Sequence, residues 1–156
     1  MGVAGAGKTT VGRTLAAELG WRFVEGDDLH TPAAVEQMRA GAPLTDADRA
    51  SWIAALHAVV STAVDRREPL ILSCSALKER YRHTLRGDLR AVRFVYLEAD
   101  PETLCRRLAS RVGHFAGPAL LSSQLADLEP PSDAITIDAT RPVDEIVCIV
   151  RREFGI

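Results

Sequence analysis

The chain has 156 residues, a length that suits one domain with its own hydrophobic core. It is 47% hydrophobic and 26% charged, an ordinary soluble composition, and its net charge of −2 argues against electrostatic binding of nucleic acid or of an anionic membrane. No apolar run approaches the roughly 18 residues that span a bilayer and no signal peptide is visible, so the sequence predicts a cytoplasmic protein.

The first residues, Gly2-Val3-Ala4-Gly5-Ala6-Gly7-Lys8-Thr9, read G-x-x-x-x-G-K-[ST], which is the spacing of a phosphate-binding P-loop. Its glycines permit turns in which backbone amides surround phosphate oxygens at a helix N-terminus. Lys8 can reach the β- and γ-phosphates of ATP, and the Thr9 hydroxyl can hold Mg²⁺. The candidate nucleotide-binding residues are Gly2, Ala4, Gly5, Ala6, Gly7, Lys8, Thr9 and Thr10. The alternative is a glycine-rich turn before a helix, and the match at all four specified positions argues against it.

A P-loop normally follows a β-strand, and a strand needs about 5–6 residues. Only Met1 precedes this motif. Such a strand is usually central in its sheet, where unpaired backbone groups are costly. We therefore expect the first strand to be missing from this chain, with the true coding sequence beginning upstream of Met1.

Helix and strand patterns alternate along the rest of the chain, without an internal repeat or a linker. The predicted strands are 21–25, 70–73, 92–97 and 134–138, and the apolar run of 70–73 is typical of burial on both faces. The predicted helices begin after Lys8, at Thr31-Pro32, at Thr45, at Ser75, at Asp100-Pro101, near Leu120 and at Pro142. This order predicts a single α/β domain over residues 1–156, with a parallel sheet covered by helices.

Acidic residues follow the first predicted strand, in the stretch Glu25-Gly26-Asp27-Asp28-Leu29-His30. In open α/β sheets, ligands bind at the carboxyl ends of the strands. Asp27 could therefore accept a proton from a substrate hydroxyl, and Glu25 could act on Mg²⁺ through water. The alternative is a turn with solvated acids, and His30 alone could equally cap or pack.

Basic residues occur at helical spacing in two places. Arg49 and Trp52 lie one turn apart and could clamp an anionic polyhydroxy substrate, although the spacing alone favours a surface charge and a core tryptophan. Lys78, Arg82 and Arg86 recur every four residues after Ser75, the predicted N-cap. Such a basic face suits a carboxylate or a phosphate, and it is equally consistent with a solvated surface.

The helix after Asp100 carries Arg106, Arg107 and Arg111, which could stabilise charge on a transferring phosphoryl group. Gly113 and Gly117 would allow a lid to hinge there, and the alternative is a charged surface helix. The cysteines, Cys74, Cys105 and Cys148, are odd in number and far apart. They match neither a zinc site nor a disulfide framework, so we expect buried thiols in a reducing cytosol.

Together these motifs resemble those of bacterial-type gluconokinases, small P-loop kinases related to shikimate and adenylate kinases. The resemblance covers nearly the whole chain, and the P-loop is its least specific part. The more specific motifs are Cys74-Ser75-Ala76-Leu77-Lys78 and Gly113-His114-Phe115, supported by Leu44-Thr45-Asp46-Ala47-Asp48-Arg49 with Trp52 and by Ser123-Gln124 with Leu128-Glu129-Pro130.

The resemblance implies ATP-dependent phosphorylation of D-gluconate to 6-phosphogluconate by a homodimer. It implies a three-layer α/β/α fold with a central parallel sheet and a helical lid over roughly 105–130. Lys8 would serve the ATP phosphates, Thr9 and Glu25 the Mg²⁺, and Asp27 would orient or deprotonate the attacking hydroxyl. The implied gluconate-binding residues are Asp27, His30, Arg49, Trp52, Lys78, Arg82 and His114, with Arg107 and Arg111 closing from the lid onto the ATP phosphates.

Two other functions are compatible with the sequence, and a third alternative is an inactive fragment that lacks its first strand and has only a scaffold role. One is another small-molecule kinase of the same fold, acting on shikimate or on a nucleotide. The other is a nucleotide-binding module without turnover, against which the chain lacks the guanine-reading motif Asn-Lys-x-Asp. Contacts to adenine are expected near Thr140-Arg141-Pro142.

Overall fold

The computed structural model describes residues 1–42, 44–110 and 118–156. Helices and strands alternate through this part of the chain, as the sequence predicts. The strands are β1 (Arg22–Glu25), β2 (Leu70–Ser73), β3 (Phe94–Glu98) and β4 (Ala134–Asp138). The helices are α1 (Lys8–Leu19), α2 (Pro32–Arg39), α3 (Asp46–Arg66), α4 (Glu79–Arg86), α5 (Pro101–Ala109), α6 (Pro118–Asp127) and α7 (Val143–Phe154), with a 3₁₀ turn at Gly26–Leu29.

The strands pair in parallel, which confirms the predicted sheet type. β1 pairs with β2, with Arg22 opposite Leu70, and β3 pairs with β4, with Phe94 opposite Ala134. Parallel neighbours require a crossover, and helices supply it in both pairs. The four predicted strands therefore exist within two residues of their expected positions.

Helices cover both faces of the strands. In β3, Val95 and Leu97 pack into a core formed largely by α1, α5, α6 and α7, whereas Phe94 packs into a second core formed by α3 and α4. Alternate residues of a strand point to opposite faces, so the two cores lie on opposite sides of the sheet. This arrangement confirms the predicted three layers.

Met1 lies between the two strand pairs. Its amino nitrogen donates a hydrogen bond of 2.5 Å to the Val95 carbonyl, and its own carbonyl accepts one of 2.9 Å from the Leu97 amide. This is the parallel pairing pattern, centred on Tyr96. On the other side, the Gly2 amide donates to the Ser75 carbonyl, just beyond β2, at 3.3 Å.

A cavity of about 700 Å³ opens behind Met1, between β2 and β3. Its walls include Ile71 and Leu72 of β2 and Phe94 and Val95 of β3. Leu70, Ile71 and Leu72 are consequently only half-buried, which corrects the predicted burial of this strand on both faces. The predicted upstream strand stays a prediction.

Helix boundaries follow local signals with one exception. Thr31, Thr45 and Asp100 cap their helices as predicted, and Thr45 forms a reciprocal capping box with Asp48. The predicted start of α4 at Ser75 is wrong, because α4 begins at Glu79. The intervening residues instead form an irregular segment whose Ser75 carbonyl binds the P-loop backbone.

The three thiols lie in different environments. Cys74 is buried, as expected, but Cys105 and Cys148 are exposed on α5 and α7, so the prediction of buried thiols is wrong for those two. Within the described ranges, no helix is both long enough and apolar enough to cross a membrane.

Candidate active site

The P-loop follows Met1 and turns tightly into α1. A Cβ on Gly2 would lie 2.7 Å from the Leu97 carbonyl oxygen, so only glycine permits this close approach to the end of β3. Gly7 has φ of 90°, a left-handed conformation, and directly precedes the first residue of α1. The Lys8 ammonium donates to the Val3 carbonyl at 3.0 Å, across the loop. The predicted loop-to-helix geometry is therefore present, with Ala4 and Ala6 buried within the loop.

The two predicted metal-binding residues contact each other. Thr9 lies in the first turn of α1 and Glu25 is the last residue of β1. The Thr9 hydroxyl donates to Glu25 Oε2 at 2.6 Å. Hydroxyl and carboxylate oxygens are hard ligands that suit Mg²⁺. Thr10, the next residue of α1, is exposed.

Charged groups from three segments converge on Cys74, which directly follows β2. Burial raises the pKa of this thiol to about 11, the Met1 amino group and Lys8 act to lower it, and Asp27 and Glu25 act to raise it further. All four groups are therefore within electrostatic reach of a single thiol. Glu25 ends β1, Asp27 lies in the turn that follows, and Lys8 precedes Thr9, which hydrogen-bonds Glu25. These three residues therefore lie at the carboxyl end of β1, where the sequence predicts the phosphate site.

Trp52 supports the turn that carries Asp27. Its side chain is buried, with 3% exposure, and its indole nitrogen donates to the Gly26 carbonyl at 2.7 Å. The His30 ring stacks on the indole, with 4.5 Å between ring centroids. Burial lowers the pKa of His30, Asp27 acts to raise it, and Arg49 acts to lower it. His30 is therefore within electrostatic reach of both the predicted base and one of the predicted substrate-binding cations.

Arg49 and Lys78 meet at a carboxylate that the sequence analysis missed. Arg49 Nη1 donates to Asp127 Oδ2 at 2.7 Å, and the Lys78 ammonium lies 3.0 Å from Asp127 Oδ1. The side chains of Arg49 and Lys78 are only 12% and 20% exposed. Burial acts to raise the pKa of Asp127, but hydrogen bonds from Arg49 and Lys78 outweigh it and the pKa lies below the usual value.

Tyr81, for which the sequence predicted no role in the site, has its ring among the same cations. Arg49, Lys78 and Arg80 lie 5.8, 5.8 and 5.3 Å from its centroid. Its hydroxyl donates to Asp46, which also pairs with Arg80. The hydrogen bond from Tyr81 is the main reason that the pKa of Asp46 falls to about 2.

The predicted basic face on α4 is divided by the fold. Arg82 is 4% exposed, and its Nη1 donates to the carbonyls of Ala76 and Leu77 at 3.1 and 2.8 Å. It thus braces the segment before Lys78 and does not join the Arg49–Lys78 pair, which corrects the grouping expected from spacing. Arg86 pairs instead with Asp133 at 2.7 Å.

The remaining predicted residues belong to the expected lid. Arg107, on α5, donates to the Ala139 carbonyl at 2.8 Å, next to the loop where adenine contacts are expected. Arg111 and His114 lie outside the described residues, so their predicted roles stay predictions.

Helix α6 connects the P-loop with the basic pair. Gln124 Oε1 accepts a hydrogen bond of 2.6 Å from the Ala4 amide, while Asp127, three residues later, contacts Arg49 and Lys78. Residues three apart on a helix are neighbours, with about 5–6 Å between their Cβ atoms. The P-loop and the pair of cations, Arg49 and Lys78, therefore contact the same face of α6, about one helical turn apart. The available sequence signal was this spacing of two polar residues among the leucines of α6.

Comparisons with known proteins agree with this geometry. A family model described as "AAA domain" matches residues 1–131. A gluconokinase from Gluconobacter oxydans (strain 621H) is 52% identical over 133 residues, which cover 85% of this chain and 75% of that protein.

Two solved structures match over nearly the whole chain. A sugar kinase from Janibacter sp. HTCC2649 has a TM-score of 0.93 and 37% identity, covering 100% of this chain and 92% of that one. A gluconokinase from Sinorhizobium meliloti 1021 has a TM-score of 0.83 and 41% identity, covering 95% and 85%. At this identity and coverage, the chain belongs to the gluconokinase family of P-loop kinases.

Proposed function

We propose that this protein transfers the γ-phosphoryl group of ATP to D-gluconate, forming 6-phospho-D-gluconate and ADP. The observation that carries the proposal is the pair of cations, Arg49 and Lys78, held one turn of α6 away from the P-loop. A cationic pair of this kind suits a carboxylate, and gluconate has one carboxylate and a chain of hydroxyl groups.

The P-loop amides and Lys8 bind the ATP phosphates in this proposal. Thr9 and Glu25 are the residues that would hold Mg²⁺, because their side-chain oxygens already lie 2.6 Å apart. When bound, Mg²⁺ neutralises charge on the β- and γ-phosphates. Arg107, Arg111 and His114 complete the site in the proposal, as the family resemblance implies.

Arg49 and Lys78 bind the gluconate carboxylate, so that the hydroxyl at the far end of the sugar acid points toward the P-loop. His30 borders this space, and Trp52 holds the turn that positions Asp27. Arg82 contributes indirectly, by bracing the segment that precedes Lys78. The substrate is therefore fixed at its charged end and presented at its reactive end.

Asp27 orients the attacking hydroxyl and accepts its proton. The γ-phosphorus exchanges its bond to the ADP oxygen for a bond to the gluconate oxygen, and no covalent enzyme intermediate is needed. Exclusion of water is important because water is a competing acceptor of the phosphoryl group. We also propose a homodimer that acts in the cytoplasm, which sedimentation and cell fractionation would test.

The deciding experiment measures ADP release from ATP and Mg²⁺ with a panel of acceptors. The panel contains D-gluconate, shikimate, nucleoside monophosphates and glucose, beside a reaction without acceptor. We expect turnover with D-gluconate and little with the others, because only gluconate offers both the carboxylate and the far hydroxyl of an open chain. Selective turnover of another acceptor would refute the assignment, and ATP binding without turnover would favour a non-catalytic module.

A further inference from the structure

The last residue of α6 and the residues just after it contact the segment that carries Lys78. Besides the contact of Asp127 with Lys78, the Glu129 amide donates to the Leu77 carbonyl at 3.0 Å. The Glu129 carboxylate accepts a hydrogen bond of 2.5 Å from the Glu79 amide and so caps the N-terminus of α4. Three consecutive residues, 77–79, are thus contacted from the end of α6.

Asp127 occupies only part of the hydrogen-bonding capacity of its two partners. It contacts Arg49 through Nη1, which also donates to the Tyr81 hydroxyl at 3.3 Å, and Lys78 through Nζ, which also lies 3.6 Å from Asp46 Oδ1. A guanidinium has five N–H donors and an ammonium has three. The same two cations can therefore bind Asp127 and a second carboxylate at the same time.

Two cations so close together repel each other, most strongly when they are partly buried. Arg49 is on α3 and Lys78 directly precedes α4, so the local helical structure does not by itself bring them together. Asp127 supplies negative charge to both, one carboxylate oxygen to each cation, whereas Asp46 adds a carboxylate beside Lys78 at 3.6 Å.

We propose that Asp127 is a positioning residue that gives the acceptor site its preference for carboxylates, by holding Arg49 and Lys78 side by side so that both bind one substrate carboxylate. The identity of that substrate rests on the function proposed above. The alternative is that the Asp127 carboxylate competes with the substrate for these cations, and the two predict opposite effects on KM.

The first test compares the kinetics of Asp127→Asn with those of Asp133→Asn. The control removes the same charge from another ion pair, because Asp133 binds Arg86 at 2.7 Å. We expect Asp127→Asn to raise the KM for D-gluconate by about 10- to 100-fold, the scale of one charge-assisted hydrogen bond. The KM for ATP and kcat should stay within about 2-fold, a split that general destabilisation would not produce.

An unchanged KM for gluconate in Asp127→Asn would overturn the proposal, and a lowered KM would show competition instead. Asp127→Glu keeps the charge and should recover part of the affinity. If the asparagine variant does not fold, Asp127→Glu alone decides the matter, since moving the carboxylate by one methylene should raise the KM for gluconate and leave that for ATP unchanged.

A second measurement needs no turnover and therefore separates this proposal from the proposed function. Lys8 and Lys78 are the lysines of this chain, so reductive ¹³C-methylation gives one NMR signal for each, beside that of the N-terminus. The hydrogen bond with Asp127 raises the pKa of Lys78. In Asp127→Asn the Lys78 signal should titrate at lower pH, with Lys8 and the Asp133→Asn protein unchanged. If the pKa of Lys78 is the same in Asp127→Asn as in the unsubstituted protein, the proposed contact is overturned, even if gluconate is the substrate. If that pKa is lower in Asp127→Asn, the contact is supported, even if gluconate is not the substrate.

Discussion

At the residue scale, the proposed transfer depends most directly on Lys8 and Asp27. Lys8→Ala removes a cation from the phosphates, and Asp27→Asn removes the proton acceptor. We expect each to lower kcat by about 10²-fold or more, the scale of one lost transition-state contact. The measurement is steady-state ADP release with D-gluconate.

Asp28→Asn is the matched control for Asp27, because Asp28 is the next residue in the same 3₁₀ turn and is exposed. It should leave kcat within about 2-fold of the unsubstituted protein. Near-normal turnover in Lys8→Ala or Asp27→Asn would refute the role assigned to that residue.

A second residue-scale prediction concerns pH and His30. Burial is the main reason that the pKa of His30 lies below its ordinary value of 6.5. Between the folded pKa and about 6.5, His30 is protonated in the unfolded chain but neutral in the folded protein. The free energy of unfolding should therefore decrease as the pH falls through about 6.5 toward the folded pKa. Denaturant melts between pH 8 and pH 5 measure this slope.

His30→Gln should flatten that part of the pH profile, whereas His83→Gln should not, because His83 is exposed on α4. An identical slope with and without His30 would contradict the assignment. His30 stacks on Trp52 and, in the proposed site, its ring borders the space for the acceptor, so His30→Gln should also raise the KM for gluconate.

At the scale of the element, the start of α3 sets the position of Arg49. The Thr45 hydroxyl accepts from the Asp48 amide at 3.2 Å, and Asp48 Oδ2 accepts from the Thr45 amide at 2.8 Å. Thr45→Ala removes one side of this box and should lower the free energy of unfolding by about 1 kcal/mol. Because Arg49 follows in the first turn of α3, the KM for gluconate should rise as well.

Thr62→Ala provides the control on the same helix, since Thr62 is exposed and its hydroxyl donates to the Ala58 carbonyl one turn back. It should change stability by less than about 0.5 kcal/mol and leave the KM unaffected. A loss of stability in Thr62→Ala as large as that in Thr45→Ala would argue against a specific role of the cap.

At the scale of the whole molecule, the groove between β2 and β3 offers a test for one more strand paired with β3. Met1 already makes parallel hydrogen bonds to β3, and apolar side chains line the cavity behind it. An upstream extension of about six apolar, β-branched residues should fill the groove. Each buried side chain contributes about 1.5–3 kcal/mol, so Tm should rise by more than about 5 °C.

An extension of the same length made of glycine and serine is the control, because it can pair its backbone but buries no apolar side chains. We expect it to raise Tm by much less. Equal effects of the two extensions, or no effect of either, would count against a strand in this groove.

Local structure could be predicted from the sequence because its causes lie close together in the chain. Gly20 ends α1, Thr31 and Asp100 cap α2 and α5, and the apolar periodicity locates the strands. The P-loop was equally readable, since its function depends on a short run of backbone turns. The wrong start of α4 is the informative exception, because Ser75 is a good cap by its chemistry but its carbonyl is bound by the distant Gly2 amide.

The composition of the acceptor site is decided by tertiary packing. Spacing grouped Lys78 with Arg82 and Arg86, yet the fold turns Arg82 inward to two carbonyls, pairs Arg86 with Asp133, and brings Lys78 to Arg49 instead. Asp127 reaches both because α6 packs between the P-loop and the segment before α4. Such contacts depend on which elements pack together, and this cannot be predicted from residues that are neighbours in the sequence.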